Sequence, residues 1–158
     1  MAALTLTLTP ASPAETCALA ERLGARLGPG DVLLLSGGVG AGKTHFARCL
    51  IQSLLPAPED VPSPTYTLVQ TYPGPRAEIW HADLYRLTDP AEIVELGLTE
   101  AFEAAICLVE WPDRLGDLAP ATALSLELAP GDAEEARHLT LRWSDSRWTA
   151  RLKGIADG

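Results

Sequence analysis

Apolar residues fall in short runs along this chain, and polar or turn-forming segments separate the runs. Residues 31–36 (Asp-Val-Leu-Leu-Leu-Ser) and 104–109 (Ala-Ala-Ile-Cys-Leu-Val) are apolar almost throughout, which is typical of buried strands. Residues 1–10 alternate Leu with Thr, which also favours a strand. These patterns predict strands at 1–10, 31–36, 66–72, 77–82, 104–109, 122–128 and 138–143.

Helix signals lie between the strand segments. Residues 12–15 (Ser-Pro-Ala-Glu) form a capping box with proline at the first helical position, and 89–92 (Asp-Pro-Ala-Glu) is a second helix start. Residues 28–30 (Gly-Pro-Gly) and Gly97 are predicted to end these two helices. The signals predict helices at 12–26, 45–55 and 89–97, and a short terminal helix from residue 144.

Strands that alternate with helices indicate an α/β sandwich with a parallel core. The hairpin 66–82, whose turn is 73–76 (Pro-Gly-Pro-Arg), and the two late strands add antiparallel neighbours. The sequence therefore predicts a three-layer sandwich around a mixed, mainly parallel central sheet. Residues 1–158 contain no recognisable linker or internal repeat, so we expect a single domain.

Residues 37–44 (Gly-Gly-Val-Gly-Ala-Gly-Lys-Thr) match the phosphate-loop pattern G-x-x-x-x-G-K-[ST] and lie between a predicted strand and a predicted helix. Backbone N–H groups in such a loop converge at a helix N-terminus, which favours an anion. We expect Lys43 to reach the phosphates of ATP and the Thr44 hydroxyl to bind Mg²⁺, in a P-loop NTPase-like fold. The nucleotide-binding residues predicted in this segment are Gly37, Gly38, Val39, Gly40, Ala41, Gly42, Lys43, Thr44 and His45.

ATP chemistry also needs a second acid for the metal ion and a group that orients the nucleophile. Glu110 follows the apolar run 104–109, so it is predicted to lie at the sheet edge and to bind Mg²⁺; a solvated strand-end acid is the alternative. Asp83 follows another strand and is predicted to orient a water molecule. An ion pair between Asp83 and Arg86 is the alternative for that residue.

Hydroxyl-bearing residues 63–67 (Ser-Pro-Thr-Tyr-Thr) follow a proline-rich loop at 56–64. Such hydroxyls can contact a γ-phosphate or Mg²⁺ when the loop is ordered, as in nucleotide switches. An ordinary cap between a loop and a strand is the alternative. The pattern alone leaves both interpretations open.

Composition narrows the class of partners. The formal net charge is −9 and the pI is about 4.7, which argues against a freestanding nucleic-acid-binding surface. No apolar run approaches the roughly 20 residues of a membrane span, so no membrane partner is expected and a cytoplasmic location is the default. Cys17, Cys49 and Cys107 are far apart in sequence and are predicted to be buried, inert thiols.

Four motifs, taken together and in order, resemble the TsaE family (older name YjeE), bacterial ATPases required for threonylcarbamoyladenosine formation on tRNA. The motifs are 40–44 (Gly-Ala-Gly-Lys-Thr), 63–67, 81–86 (His-Ala-Asp-Leu-Tyr-Arg) and 110–112 (Glu-Trp-Pro), and they span about half of the chain. The phosphate loop alone is generic, whereas the ordered set is specific. Two neighbouring residues depart from the family pattern: Gly38, often Asp there, and His45, usually Thr.

The resemblance implies an ATPase that needs Mg²⁺ and acts with two partners, TsaB and TsaD. TsaD transfers the threonylcarbamoyl group to the adenosine 3′ of the anticodon, so contact with tRNA is expected to run through the partners. By the resemblance, Thr44 and Glu110 would bind Mg²⁺, and Asp83 would be the essential acid of the hydrolysis step. Asp83 and Lys43 are the predicted catalytic residues. Thr65 would belong to a switch-like loop, and Trp111 would lie near the nucleotide.

Two other functions remain open at this stage. A small-molecule kinase usually carries an arginine-rich lid, and the arginines of this chain are scattered. A nucleotide-gated binding module would bind ATP without hydrolysing it. The products formed from ATP, with partners present, discriminate among the three functions.

Overall fold

The computed structural model describes residues 3–38, 40–57, 59–64 and 68–157. In this part of the chain the strands are β1 Leu4–Leu8, β2 Val32–Ser36, β3 Val69–Pro73, β4 Glu78–Asp83, β5 Ile106–Glu110, β6 Leu124–Pro130 and β7 Arg137–Trp143. The helices are α1 Pro13–Gly24, α2 Lys43–Leu54, α3 Ala91–Glu95, α4 Leu98–Ala104 and α5 Ser146–Arg151, with 3₁₀ helices at Pro112–Leu118 and Ile155–Asp157.

The described strands form one sheet in the order β1-β7-β6-β2-β5-β4-β3. Its four central strands, β6, β2, β5 and β4, pair in parallel, and the outer pairs β1–β7, β6–β7 and β3–β4 are antiparallel. This arrangement confirms the predicted mixed sheet with a parallel centre. Leu35 and Asp83 both pair with Glu110, so the last residues of β4 and β5 are neighbours at one sheet edge.

Two apolar clusters, one on each face of the sheet, explain why β2 and β5 are apolar almost throughout. In β2, Leu33 and Leu35 belong to the cluster that includes residues of α1 and α2. Val32 and Leu34 belong to the opposite cluster, which includes residues of α3 and α4. A strand buried on both faces has no polar positions in its alternation. The two covered faces give the three layers that the sequence predicts.

Several boundaries and two elements differ from the prediction. The Ser12 hydroxyl accepts the Glu15 N–H, which confirms the predicted cap of α1. Gly97, predicted as a helix stop, adopts φ 83° and also precedes α4, which was not predicted. The 3₁₀ helix Pro112–Leu118 was missed as well. None of the described helices is long and apolar enough to cross a membrane.

The prediction that all three cysteines are inert thiols is wrong for two of them. Cys17 on α1 and Cys49 on α2 form a disulfide, although they lie 32 residues apart in sequence. The two helices pack against each other and bring the cysteine Cα atoms within 5.3 Å, a contact that sequence spacing does not reveal. Cys107 is a buried free thiol, and burial raises its pKa to about 12, as expected of an unreactive cysteine.

The disulfide determines how many thiols of the unfolded protein should react before and after reduction. Unfolded without reductant, the protein should expose one reactive thiol, that of Cys107, and after reduction it should expose three. A Cys107→Ser variant should expose none before reduction and two after it. Because the bond closes a loop of this length, reduction should lower the free energy of unfolding by about 3–4 kcal/mol. Three reactive thiols without reductant would contradict the pairing of Cys17 with Cys49.

Candidate functional site

A cavity of about 370 Å³ lies at the carboxyl ends of β2, β4 and β5. Clefts at this edge of a parallel sheet are where α/β proteins bind ligands. The cavity is lined by residues from four separate segments of the chain. Its lining residues are Gly40, Gly42, Lys43, Thr44, His45, Ser63, Asp83, Tyr85, Glu110 and Trp111.

The backbone of the loop between β2 and α2 requires glycine at two positions. Gly37 adopts φ 140°, and a Cβ there would lie only 2.4 Å from the Leu128 carbonyl oxygen. Gly42 adopts φ 103° as the residue before α2, and its carbonyl accepts the Phe46 N–H of the first helical turn. The loop therefore passes close to β6 before it enters the helix. Of the predicted loop residues, Val39 lies outside the described part of the chain.

Lys43 is held inside the loop. Its Nζ donates to the carbonyl oxygens of Gly37 at 2.7 Å and Gly38 at 2.9 Å, and it lies 4.3 Å from the ring centre of Trp111. Burial lowers the pKa of the Lys43 ammonium, while the nearby charges of Glu110 and Asp83 oppose part of that shift. A partly desolvated cation surrounded by loop backbone is a strong attractor for an anionic ligand.

Thr44 and Glu110 meet across the sheet edge. The Thr44 hydroxyl donates to Glu110 Oε1 at 2.9 Å, and Glu110 Oε2 lies 2.6 Å from His81 Nε2. The side chains of His81 and Glu110 are buried. Hydroxyl and carboxylate oxygens are the ligands that Mg²⁺ prefers, and a hydroxyl that donates its proton keeps its lone pairs for a cation. The donor set therefore fits magnesium.

Asp83 ends β4 beside Glu110, its partner in the parallel register. The side chain is buried, and Oδ1 accepts the Tyr85 N–H at 3.0 Å. The Asp83 N–H donates to the Leu68 carbonyl oxygen. These contacts fix a carboxylate in the cavity wall, next to the acid that holds Thr44. The sequence predicts both acids, and the structure brings them to the same cavity.

Trp111 and Tyr85 form an aromatic wall beside Lys43. The Trp111 backbone adopts φ 59°, and its N–H donates to the Leu35 carbonyl oxygen of β2. Its ring centre lies 4.8 Å from that of Tyr85. Tyr85 was not predicted as a site residue, although it belongs to the segment 81–86 that carries Asp83. Thr65, predicted for the same site, lies outside the described residues.

A smaller cavity, of about 160 Å³, adjoins the first and shares Gly42 and His45 with it. Arg137 of β7 also lines it, and its Nε donates to the Ala41 carbonyl oxygen at 3.1 Å. The sequence prediction missed Arg137, which lies almost a hundred residues beyond the loop. A cationic side chain therefore supports the loop from the side opposite Glu110. The remaining lining residues are Pro13, Thr16 and Glu135.

Comparison with known proteins gives consistent similarities. Residues 10–139 match the profile of the family described as Threonylcarbamoyl adenosine biosynthesis protein TsaE. A Rickettsia bellii protein named tRNA threonylcarbamoyladenosine biosynthesis protein TsaE is 40% identical over 117 residues, 74% of this chain and 81% of that protein. A protein of the same name from Rickettsia conorii is 43% identical over 107 residues, 68% of this chain and 61% of that protein.

A solved structure is also similar over nearly its whole length. Bacillus subtilis YdiB superposes with a TM-score of 0.81 at 28% sequence identity, over 99% of this chain and 97% of that chain. The family match includes the phosphate loop, Asp83 and Glu110. The similarities therefore extend to the segments that build the larger cavity.

Proposed function

The chain belongs to the TsaE family, proteins of tRNA threonylcarbamoyladenosine biosynthesis, and from this premise we propose that it binds and hydrolyses Mg-ATP. One observation carries the proposal: the 2.9 Å hydrogen bond between the Thr44 hydroxyl and Glu110. It joins the loop that would hold the phosphates to an acid on the neighbouring strand, the pair of groups by which phosphate-loop enzymes hold a magnesium nucleotide.

The two adjoining cavities suit the two ends of ATP. In the larger one, Lys43 and the backbone N–H groups of residues 37–44 would bind the phosphates, at the N-terminus of α2. The smaller one, with its polar residues His45 and Arg137, suits the nucleoside. Trp111 would lie against the phosphate end, where its ring already contacts Lys43.

Hydrolysis would use residues on the two neighbouring strands. Thr44 and Glu110 would hold Mg²⁺, which when bound neutralises charge on the phosphate oxygens. Asp83 would orient the attacking water, since its carboxylate is fixed in the cavity wall by the Tyr85 N–H. Glu110 is already engaged by Thr44 and His81. The two acids would therefore have different roles: Glu110 would bind the metal ion, and Asp83 would orient the water.

The proposal extends to partners and location. We place the chain in the cytoplasm with TsaB and TsaD, where it supports the transfer of the threonylcarbamoyl group without carrying it out. A net charge of −9 suits a protein that leaves tRNA binding to its partners, because a tRNA-binding surface needs basic side chains. In phosphate-loop enzymes an arginine from a partner raises the rate about 10³–10⁵-fold, so we expect slow turnover without partners.

The test is an ATPase assay of the purified chain, with and without a TsaB–TsaD pair, in which phosphate release and modified tRNA are measured together. We expect slow phosphate release by the chain alone, acceleration by the partners, and modified tRNA only in the complete mixture. The Lys43→Ala variant is the control for contaminating ATPase activity, because phosphate release by a contaminant would be unchanged in that preparation.

Other outcomes of this assay would replace the proposal. A phosphorylated small molecule in place of free phosphate would indicate a kinase. Nucleotide-dependent complex formation without any ADP would indicate a nucleotide-gated binding module. Tight, salt-sensitive tRNA binding by the chain alone would contradict the assignment of tRNA binding to the partners.

Trp111 should report nucleotide binding by fluorescence. It lines the larger cavity and contacts Lys43, so phosphates that draw the ammonium away would change its surroundings. Trp111→Phe should remove most of the change that ATP causes. Trp80→Phe is the matched control, because Trp80 donates to Glu78 and does not line this cavity. A full signal in Trp111→Phe would place the nucleotide elsewhere.

A further inference from the structure

The carboxylate of Glu110 has a buried partner on the next strand. We propose that His81 is a positioning residue that turns Glu110 toward Thr44 and so sets the affinity for magnesium. The inference rests on the proposed function, because it assumes that Glu110 binds the metal ion. It assigns His81 a role in the site even though His81 is not among the residues that line the cavity.

The placement of His81 follows from strand alternation. Ile79, His81 and Asp83 point to one face of β4, and Ile106, Leu108 and Glu110 point to the same face of β5, because side chains alternate along a strand. Ile79, Ile106 and Leu108 pack in the cluster that includes residues of α2. Behind the two acids this face of the sheet is therefore apolar, and His81 is the polar side chain set into it.

The hydrogen bonds give each oxygen of Glu110 a different donor. Oε1 accepts the Thr44 hydroxyl, and Oε2 lies 2.6 Å from His81 Nε2. An ionised carboxylate only accepts hydrogen bonds, so the proton of this contact is assigned to Nε2. Nδ1 has no hydrogen-bond partner, so the contact with Glu110 is the one hydrogen bond of the His81 ring in the described part of the chain. His81 thus completes the set of donors to the Glu110 carboxylate.

Burial makes the hydrogen bond between His81 and Glu110 costly to lose. Glu110 is 2% exposed and His81 0% exposed, so water is poorly placed to replace either partner. A buried carboxylate oxygen without a donor is costly, and without His81 the Glu110 side chain would turn to satisfy Oε2 elsewhere. Oε1 would then leave Thr44. Partners of this kind, one step behind a metal ligand, change metal affinity by about 10–100-fold when they are removed.

Three substitutions test the geometry of the contact. His81→Gln carries an amide nitrogen at about the reach of Nε2, His81→Asn reaches only as far as Nδ1, and His81→Leu removes the donor. The measurement is the Mg²⁺ dependence of binding of a non-hydrolysable ATP analogue, followed by calorimetry, with analogue binding in EDTA as the reference. Far-ultraviolet circular dichroism establishes that each variant is folded.

We expect His81→Leu and His81→Asn to raise the Mg²⁺ concentration needed for half-saturation by about 10–100-fold, with unchanged analogue affinity in EDTA. His81→Gln should recover most of the loss. If His81 acted only through packing, the variants would rank differently in Mg²⁺ dependence. His81→Asn and His81→Gln would then need at least as much Mg²⁺ for half-saturation as His81→Leu. Parent-like Mg²⁺ dependence in His81→Leu, failure of His81→Gln to recover it, or unfolding of every His81 variant would overturn the inference.

A double-mutant cycle that combines His81→Leu with Glu110→Ala separates this inference from the proposed function. If His81 acts through Glu110, adding His81→Leu to Glu110→Ala should change the Mg²⁺ dependence no further. An undiminished effect of His81→Leu in that background would overturn the role of His81 and leave the proposed function standing. If Glu110→Ala alone leaves the Mg²⁺ dependence unchanged, the metal site itself is wrong, and the role of His81 falls with it.

Discussion

Lys43→Ala is expected to weaken ATP binding by roughly tenfold to a hundredfold or more. The Lys43 ammonium is buried in the loop and held by the carbonyl oxygens of Gly37 and Gly38, from which phosphates would draw it. A hydrogen bond to a charged group is worth about 1.5–3 kcal/mol, and each 1.4 kcal/mol is a factor of ten in affinity. Calorimetric titration of both proteins with ATP measures the loss.

The chain supplies a matched control for that prediction, because its other lysine, Lys153, is exposed at the far end of the sequence. Lys153→Ala removes the same charge and should leave ATP affinity unchanged. Lys43→Ala also leaves two loop carbonyls without their donor, so its melting temperature must be compared with that of the parent. Unchanged ATP affinity in a folded Lys43→Ala protein would remove the phosphate loop from the binding site.

The elements that the sequence predicts best are those whose pattern is local. Strands β2 and β5 are apolar almost throughout because both of their faces are covered. The phosphate loop is recognisable because its glycines and lysine have fixed spacing. Glu110 could be predicted from its place at the end of an apolar run. In these cases one segment of sequence contains the whole physical reason for the structure.

Features that depend on two distant segments could not be predicted. The disulfide requires α1 and α2 to pack side by side, and Arg137 reaches Ala41 only because β7 lies next to β6 in the sheet. The contact between His81 and Glu110 likewise depends on the order of β4 and β5. Helix α4 was missed for a different reason: Gly97 is read as a helix stop, yet it also starts the next helix.

Asp83→Asn is expected to retain ATP binding and to lose hydrolysis, by about 10²–10⁴-fold in rate. The amide keeps the shape of the side chain and an oxygen that can accept the Tyr85 N–H, so the cavity wall should stay in place. It removes the negative charge that would orient and deprotonate the attacking water. Single-turnover phosphate release with the partner proteins present measures the rate, and calorimetry with ATP measures the binding.

Asp89→Asn is the matched control, since Asp89 is an exposed acid whose Oδ1 also accepts a nearby backbone N–H, that of Ala91. It should leave both rate and binding unchanged. The Mg²⁺ dependence of analogue binding distinguishes the two acids of the site: it should stay parent-like in Asp83→Asn and shift in Glu110→Ala. Normal turnover in Asp83→Asn would remove this residue from the reaction. A shifted Mg²⁺ dependence would instead make Asp83 part of the metal site, because a residue that acts only on the water leaves metal binding intact.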